Sequence, residues 1–336
     1  MSQPAETVNI IMPVKNAGSY LHDCLSSIRG QTFSFWRLIA INDHSTDDSL
    51  EILQEAVLQD DRISVFQNPG QGIIPALQAA LEKCSGTYIT RMDADDAMPP
   101  NRLALMVEAI DSSAPKTIVT GKVEYFGAEP VSAGYRKYEA WLNERITLKD
   151  HWPWVYRECV IASPNWLVRR SELMEMGGFD SLNYPEDYHL VLKWYEHGFI
   201  VEGLPEITLN WREHPARTSR NSEHYDQDHF FNMKIGHFIK HQLDDKKLIL
   251  WGTGPKGKLT AQLLDGHEIA FEWMDLLPKE DVKQIGQQRV THFQNIENHT
   301  SFKLLIAVYP PERERQKLDA YLAGLGFKMG IDFWYL

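Results

Sequence analysis

Between Val8 and Met92 four short apolar runs alternate with three segments of helical spacing. That alternation restricts the fold more than any other feature. Val8–Pro13, Trp36–Ile41, Arg62–Gln67 and Thr87–Met92 read as strands. Tyr20–Ile28, Ser49–Leu58 and Ile73–Cys84 carry apolar residues on one helical face. Alternating βα units predict an open, mostly parallel sheet with helices on both faces. Ligands of such sheets bind beyond the carboxyl ends of the strands, so the residues following each strand are the ones to inspect.

Further along, Arg102–Ala109 and Glu186–Glu196 read as helices, and Lys116–Phe126 and Ile200–Trp211 as extended chain. Asn221–Gln242 is a polar, His-rich helical stretch. A second α/β pattern starts near Leu243: strand Leu248–Trp251, helix Lys258–Leu264, strand Ile269–Met274, strand Lys303–Val308 and helix Glu312–Leu325. A length of 336 residues suits roughly two domains at about 150 residues each. We therefore expect domains at 1–240 and 241–336, the second Rossmann-like and smaller.

Composition excludes several classes. Basic residues number 34 against 46 acidic, a net charge of −12, so there is no basic footprint for nucleic acid. No apolar run approaches the roughly 18 residues of a membrane span. Cys24, Cys84 and Cys159 form neither a disulfide framework nor a zinc spacing, which points to a reduced, cytoplasmic setting. The start, MSQPAETVNI, lacks the charged and apolar regions of a secretory leader.

Five constellations can carry chemistry. Arg91-Met92-Asp93-Ala94-Asp95-Asp96 follows a strand. If the chain stays extended there, Asp93 and Asp95 share a side and can hold Mg²⁺ or Mn²⁺ through oxygen; equally, these acids can cap the next helix. Glu186-Asp187 opens a helix, either complementing its dipole or offering a carboxylate that takes a proton from a hydroxyl. Asn42-Asp43 ends the second strand, as an Asx-turn or as an acceptor for ligand N–H and O–H groups. Trp211 to Arg220 gathers three arginines with His214, cations for phosphate and an imidazole for a metal. Gly252-x-Gly254-x-x-Gly257, with Asp275 some 20 residues on, matches a dinucleotide fingerprint. Pro255 and Lys256 sit in that turn and the region is short for a full cofactor domain, so we read a glycine turn that binds no NAD.

In order along the chain, Pro13-Val14-Lys15-Asn16-Ala17, Ala40-Ile41-Asn42-Asp43-His44-Ser45-Thr46-Asp47-Asp48-Ser49, Gly72-Ile73-Ile74-Pro75-Ala76-Leu77, Arg91 to Asp96 and Pro100-x-Arg102-Leu103 resemble the family 2 glycosyltransferases of GT-A fold. Gly177-Gly178-Phe179-Asp180, Glu186-Asp187 and Arg212-x-His214-x-x-x-Thr218-Ser219 continue the likeness, which spans about residues 6–220. The resemblance implies an inverting hexosyltransferase-type enzyme. It would move a sugar from a nucleoside diphosphate sugar, UDP by default, to a glycan or lipid-linked acceptor in surface polysaccharide or glycan synthesis. It implies that Pro13, Val14, Asn16, Asp43, Arg91 and Asp93 bind the nucleotide sugar. Asp93 and Asp95 match the DXD motif and, with His214, would hold Mn²⁺ or Mg²⁺. Asp187 matches the catalytic base, with Glu186 beside it. His44 departs from the glycine common at its position. A lipid-linked acceptor would be met at the cytoplasmic face of the membrane, and the Trp-rich Trp141–Trp166 stretch is either an acceptor wall or core filling. The rival reading is a sugar-nucleotide-binding or nucleotidyltransferase protein. The latter wants a glycine-rich phosphate loop after the first strand, where this chain has only Gly18.

Overall fold

The computed structural model describes residues 7–217, 226–276, 283–286, 288–298 and 301–336. It divides into two compact units, Met1–His151 with Val160–Ser222, and Trp152–Cys159 with Glu223–Leu336.

The first unit is built on β1 (Val8–Val14), α1 (Gly18–Arg29), β2 (Trp36–Asn42), α2 (Ser49–Gln59), β3 (Ile63–Gln67), α3 (Ile73–Lys83), β4 (Tyr88–Arg91) and α4 (Arg102–Asp111). These are the expected βα units. β5 (Thr117–Phe126), α5 (Ala133–Leu148), β6 (Leu167–Arg169), α6 (Arg170–Glu175), α7 (Glu186–Glu196) and β7 (Ile200–Arg212) follow. The sheet order is β3-β2-β1-β4-β6-β5-β7, parallel except that β6 runs against β4 and β5. β1 is buried at every residue but Pro13, because helices cover both faces of a central parallel strand. α1 presents Leu21, Cys24, Leu25 and Ile28 to the core at spacings of three and four. A Cβ at Gly18 would lie 1.7 Å from Asp48 Oδ1, so a larger residue there would make the exposed Asp48 side chain swing aside from the start of α1.

Two features bring distant segments to the carboxyl edge of this sheet. β5 and β7 pair along their whole length, with a register shift beside Gly121, and Tyr125 stacks on Trp211 at 4.9 Å. The chain after β4 is then stitched to β7, since Ala97 and Asn210 exchange N–H···O bonds of 3.1 and 3.0 Å.

In the second unit, α8 (Gln227–His241), β8 (Lys247–Trp251), α9 (Pro255–Gly266), β9 (Phe271–Asp275), β10 (Lys283–Ile285), β11 (Gln288–His292), β12 (Phe302–Ile306), α10 (Glu312–Gly324) and β13 (Phe333–Tyr335) form a sheet of order β10-β11-β9-β8-β12-β13. Only β10 is antiparallel to its neighbour. The units differ from a boundary at 240/241. α8 belongs to the second unit, where it buries Phe231, Ile235 and Phe238 and packs on α9. Trp152–Cys159 joins it too, Trp154 stacking on Tyr335 at 5.7 Å and Tyr156 against Phe238 and Trp334. The Trp-rich stretch is consequently not one wall. Trp154 is buried in the second unit, and Trp166 in the first, against Trp194. The three cysteines are buried and form no disulfide, and among the described residues no helix is long and apolar enough to cross a membrane.

Gly257 seats α9 against the turn after β8, since a Cβ there would lie 2.0 Å from the Gly252 carbonyl oxygen. Gly257→Ala should therefore cost about 1–3 kcal/mol by overpacking. Gly254→Ala, with nothing within 4 Å of the Cβ position, should cost less, about 0.5–1 kcal/mol in urea denaturation, as a poorer N-cap only. Equal midpoints for the two variants would contradict this packing.

Candidate active site

The first group of residues lies where β1, β2 and β3 end. Asp43 is buried, 3% exposed, and its N–H donates to the Val14 carbonyl at 2.7 Å. Its Oδ1 accepts from Asn68 Nδ2 at 2.6 Å and from Gly72 N at 3.0 Å. Its Oδ2 lies 3.1 Å from both Gly72 N and Lys15 Nζ. A carboxylate has about four lone-pair sites, and three donors occupy this one, the Gly72 N–H being shared between its two oxygens. Its most replaceable donor is Lys15, whose side chain is 59% exposed. Pro13 is half-buried at the end of β1, whereas the Val14 side chain is in the core and only its carbonyl reaches this edge. Asn16, at φ +50, clips two loops together by accepting from Thr46 N at 2.8 Å. His44 adopts φ +54, which accounts for the glycine common there in the family pattern. Its ring holds the conformation through Nε2 to the Gly70 carbonyl at 2.8 Å and Nδ1 to Gln67 at 3.1 Å.

The second group follows β4. The strand stops at Arg91 and the chain turns, Asp96 N donating to the Asp93 carbonyl at 3.2 Å. The extended geometry expected for Asp93 and Asp95 is therefore absent, and each acid has its own partner. Arg91 Nε donates to Asp93 Oδ1 at 2.7 Å, and Arg91 Nη1 to Glu186 Oε1 at 3.0 Å. Asp95 Oδ2 lies 2.8 Å from His214 Nε2, and the Tyr20 ring packs against that imidazole at 4.4 Å with the planes tilted by 35°. Asp96 Oδ1 accepts from Arg212 N at 2.7 Å, while Arg212 Nε donates to the Asp95 carbonyl at 2.6 Å and Nη2 to Asp23 at 3.0 Å. Thr218, Ser219 and Arg220 lie outside the described residues.

Electrostatics separates these acids. Burial, then Asp95 and Asp93, push Asp96 well up. Burial outweighs Arg91 and raises Asp93. At Asp95 burial is overcome by the His214 hydrogen bond and by Arg217, so its carboxyl is held down. Asp187, in the first turn of α7, is pushed up to about 7 by burial and then by Glu186. Glu186 itself is 3% exposed and ion-paired to Arg91. The expected catalytic part for Glu186 does not fit, because a buried carboxylate already clamped by a guanidinium has no access to a substrate proton. Its geometry is that of a positioning residue.

Asp95 and His214 suit a divalent ion. Two donors cis on an octahedral ion with bonds near 2.1 Å lie about 3 Å apart, and these lie 2.8 Å apart. Carboxylate plus imidazole suits Mn²⁺, and the buried His214 Nδ1 has no partner among the described residues. Asp93, also expected as a ligand, is held by Arg91, and its oxygens are not gathered with the other two within 4.8 Å. Sequence reasoning missed Asn68 and Tyr20. The Asn68-Pro69-Gly70 turn after β3 was the available signal for the first.

Comparison with known proteins fits this geometry. Residues 9–177 match the family described as Glycosyl transferase family 2, and the chain belongs to that family. An uncharacterized glycosyltransferase of Haemophilus influenzae is 28% identical over 225 residues, 65% of this chain and 68% of the relative. The chain spans only about 40% of the length of other curated relatives. Among solved structures, residues 1–349 of S. aureus TarS in complex with UDP-GlcNAc align with a TM-score of 0.55 at 16% identity, covering 78% of this chain and 72% of that one. The mannosyltransferase PcManGT from Pyrobaculum calidifontis, with GDP-Man and Mn²⁺, aligns at 0.54 and 18% identity over 78% and 70%. The fold is the α/β GT-A architecture that the sequence implies, with a second sheet in the C-terminal part.

Because Glu186 is buried, Arg91→Ala should destabilise the chain by about 3–5 kcal/mol through an uncompensated charge. Adding Glu186→Gln should recover a large part of that loss. Thermal and urea unfolding of the single and double variants measure the coupling, and additive losses would show that the pair is not linked.

Proposed function

We propose that this chain is an inverting glycosyltransferase that moves a sugar from a nucleoside diphosphate sugar to an acceptor hydroxyl, in surface polysaccharide or glycan synthesis. The observation that carries it is the convergence at one sheet edge of three groups: the buried Asp43 carboxylate, the Asp95–His214 pair and Asp187.

Each group has a part. Asp43 takes the donor's base through an N–H that replaces Lys15 on Oδ2, while Asn68 and Gly72 keep the carboxylate in place. Arg91, anchored on Glu186, sets Asp93 toward the ribose or sugar. Asp95 and His214 would hold the divalent ion, which when bound supplies positive charge to the departing diphosphate. Asp187 takes the acceptor proton as the hydroxyl oxygen bonds to the anomeric carbon. The nucleoside diphosphate leaves from the opposite face with the electron pair of the broken C–O bond, so the anomeric centre inverts. A base with a value near 7 is matched to neutral pH, ionised enough to accept and basic enough to pull. UDP is the first nucleotide to test, with GDP and dTDP beside it.

Asp187→Asn should lower kcat by about 10²–10⁴ and leave nucleotide affinity within a few-fold. Full turnover in that variant removes Asp187 as the base. The proton acceptor must be ionised, so in the parent kcat/KM should fall as pH drops through about 7 and level off above it. A profile flat from pH 5 to 9 contradicts the assignment. Isothermal titration with UDP, GDP and dTDP, each with Mn²⁺ and with EDTA, tests the donor site. One nucleotide should bind only with the ion and lose affinity in Asp95→Ala, and no binding of any of them refutes the reading.

A further inference from the structure

The turn Gly252-x-Gly254-x-x-Gly257 takes no part in the transfer chemistry above. It stands at the carboxyl end of β8, with β9 on one side and β12 on the other, where the strand order reverses. Its glycines have different surroundings. Gly252, at φ +115, would bring a Cβ within 2.7 Å of Val308, and Gly257 packs on the Gly252 carbonyl, so these two shape the turn. Gly254 has nothing within 4 Å of its Cβ position, which leaves open space before the first turn of α9.

Four cations from four segments of the unit gather around this end of the sheet. The Arg157 guanidinium lies 3.5 Å over Tyr309, a residue 41% exposed just past β12. Arg315 on α10 lies 5.9 Å from the same ring and 5.0 Å from Trp154. Lys256, in the first turn of α9, and Lys234, on α8, share Phe231 at 5.8 and 4.6 Å. The carboxylates facing them are Glu158, which acts on both lysines, and Asp319, 3.4 Å from Arg315 and bonded to Tyr335. Arg157 Nε is buried with no hydrogen-bond partner among the described residues, and Lys256 Nζ donates to the Leu336 carbonyl at 3.0 Å. Burial pushes Lys234 down to about 7, with Lys256 and Arg157 adding to the effect. Mutually repelling cations beside an open glycine turn make a site for negative charge.

We propose that the second unit binds a phosphate-bearing small molecule at this turn, its phosphate against Gly254 and the start of α9, with Lys256 and Arg157 supplying the charge and Tyr309 flanking it. This is not the dinucleotide arrangement. Asp275, which that fingerprint would aim at a ribose, accepts instead from Thr253 N at 2.9 Å and from the Thr253 hydroxyl. The site is independent of the transferase reading.

Hydrogen–deuterium exchange of the whole chain with inorganic pyrophosphate in EDTA tests it, because exchange is read peptide by peptide and separates this turn from the first unit. Slowed exchange is expected over residues 252–260 and 305–316. Gly254→Val puts bulk into the open space and should weaken binding at least tenfold, with only the modest fall in unfolding midpoint that a poorer N-cap residue brings. Arg157→Gln should weaken it similarly. UDP and a simple sugar phosphate in the same assay then distinguish a nucleotide from a phosphate ester as the source of the phosphate. The proposal is overturned by absence of protection at 252–260 with all three probes, by protection unchanged in both variants, or by equal protection from sulfate.

Discussion

Crowding of carboxylates at one sheet edge is the constraint around which the first unit is arranged. Asp93 stands at its centre, coupled on one side to Asp95 and Asp96 and on the other to Glu186 and Asp187, in surroundings largely shielded from water. Like charges in low dielectric repel too strongly to stay together without fixed cations. Arg91 bridges Asp93 and Glu186, and the Arg212 guanidinium spans Asp23 and the Asp95 carbonyl. Arg102 lies fully buried beneath them, donating to Thr90 Oγ1 and to the Arg91 and Pro164 carbonyls. Burial draws even this guanidinium down to about 10, against the pull of Asp96. The cations that stabilise the cluster are the same groups that aim it, so stability and chemistry are coupled through Arg91 in particular.

That arrangement also sorts the acids by use. Two adjacent residues, Glu186 and Asp187, have opposite fates because only one is clamped. Arg91 pairs with Glu186, and Glu186 comes second to burial among the causes that raise Asp187, with Asp93 a third. The clamped neighbour thereby tunes the residue beside it. A similar division holds after β4, where Asp95 meets His214 and is held down while Asp96, one residue on and buried, is pushed up.

Much of this is legible in the sequence. The strands and helices up to α4 follow from continuous apolar runs and 3.6-fold patterns, and ordered motifs single out Asp43, Asp95, Asp187 and His214 as candidates. Illegible features have identifiable physical reasons. α5 buries only Leu142, Arg145 and Ile146 of its 16 residues, so its apolar period is faint and one of its buried positions is a charge. β6 and β13 are three residues each, too short for any period to register. The turn at Asp93–Asp96 replaces an extended chain because β7 captures it through Ala97 and Asn210, a pairing more than a hundred residues apart in sequence. Trp154 and Trp166 sit 12 residues apart yet belong to different units, which no local pattern can reveal.

The glycine turn after β8 shows how a motif and its meaning separate. Spacing gives the tight turn and the close helix, both present at Gly252 and Gly257. Spacing says nothing of where the Asp275 carboxylate points, and here it turns back onto Thr253. Nor does it reveal Arg157, contributed by a short segment 95 residues earlier in the chain that the second unit has captured. The shape of a cofactor turn is thus inherited from backbone sterics, whereas its ligand is decided by side chains that reach it from elsewhere in the fold.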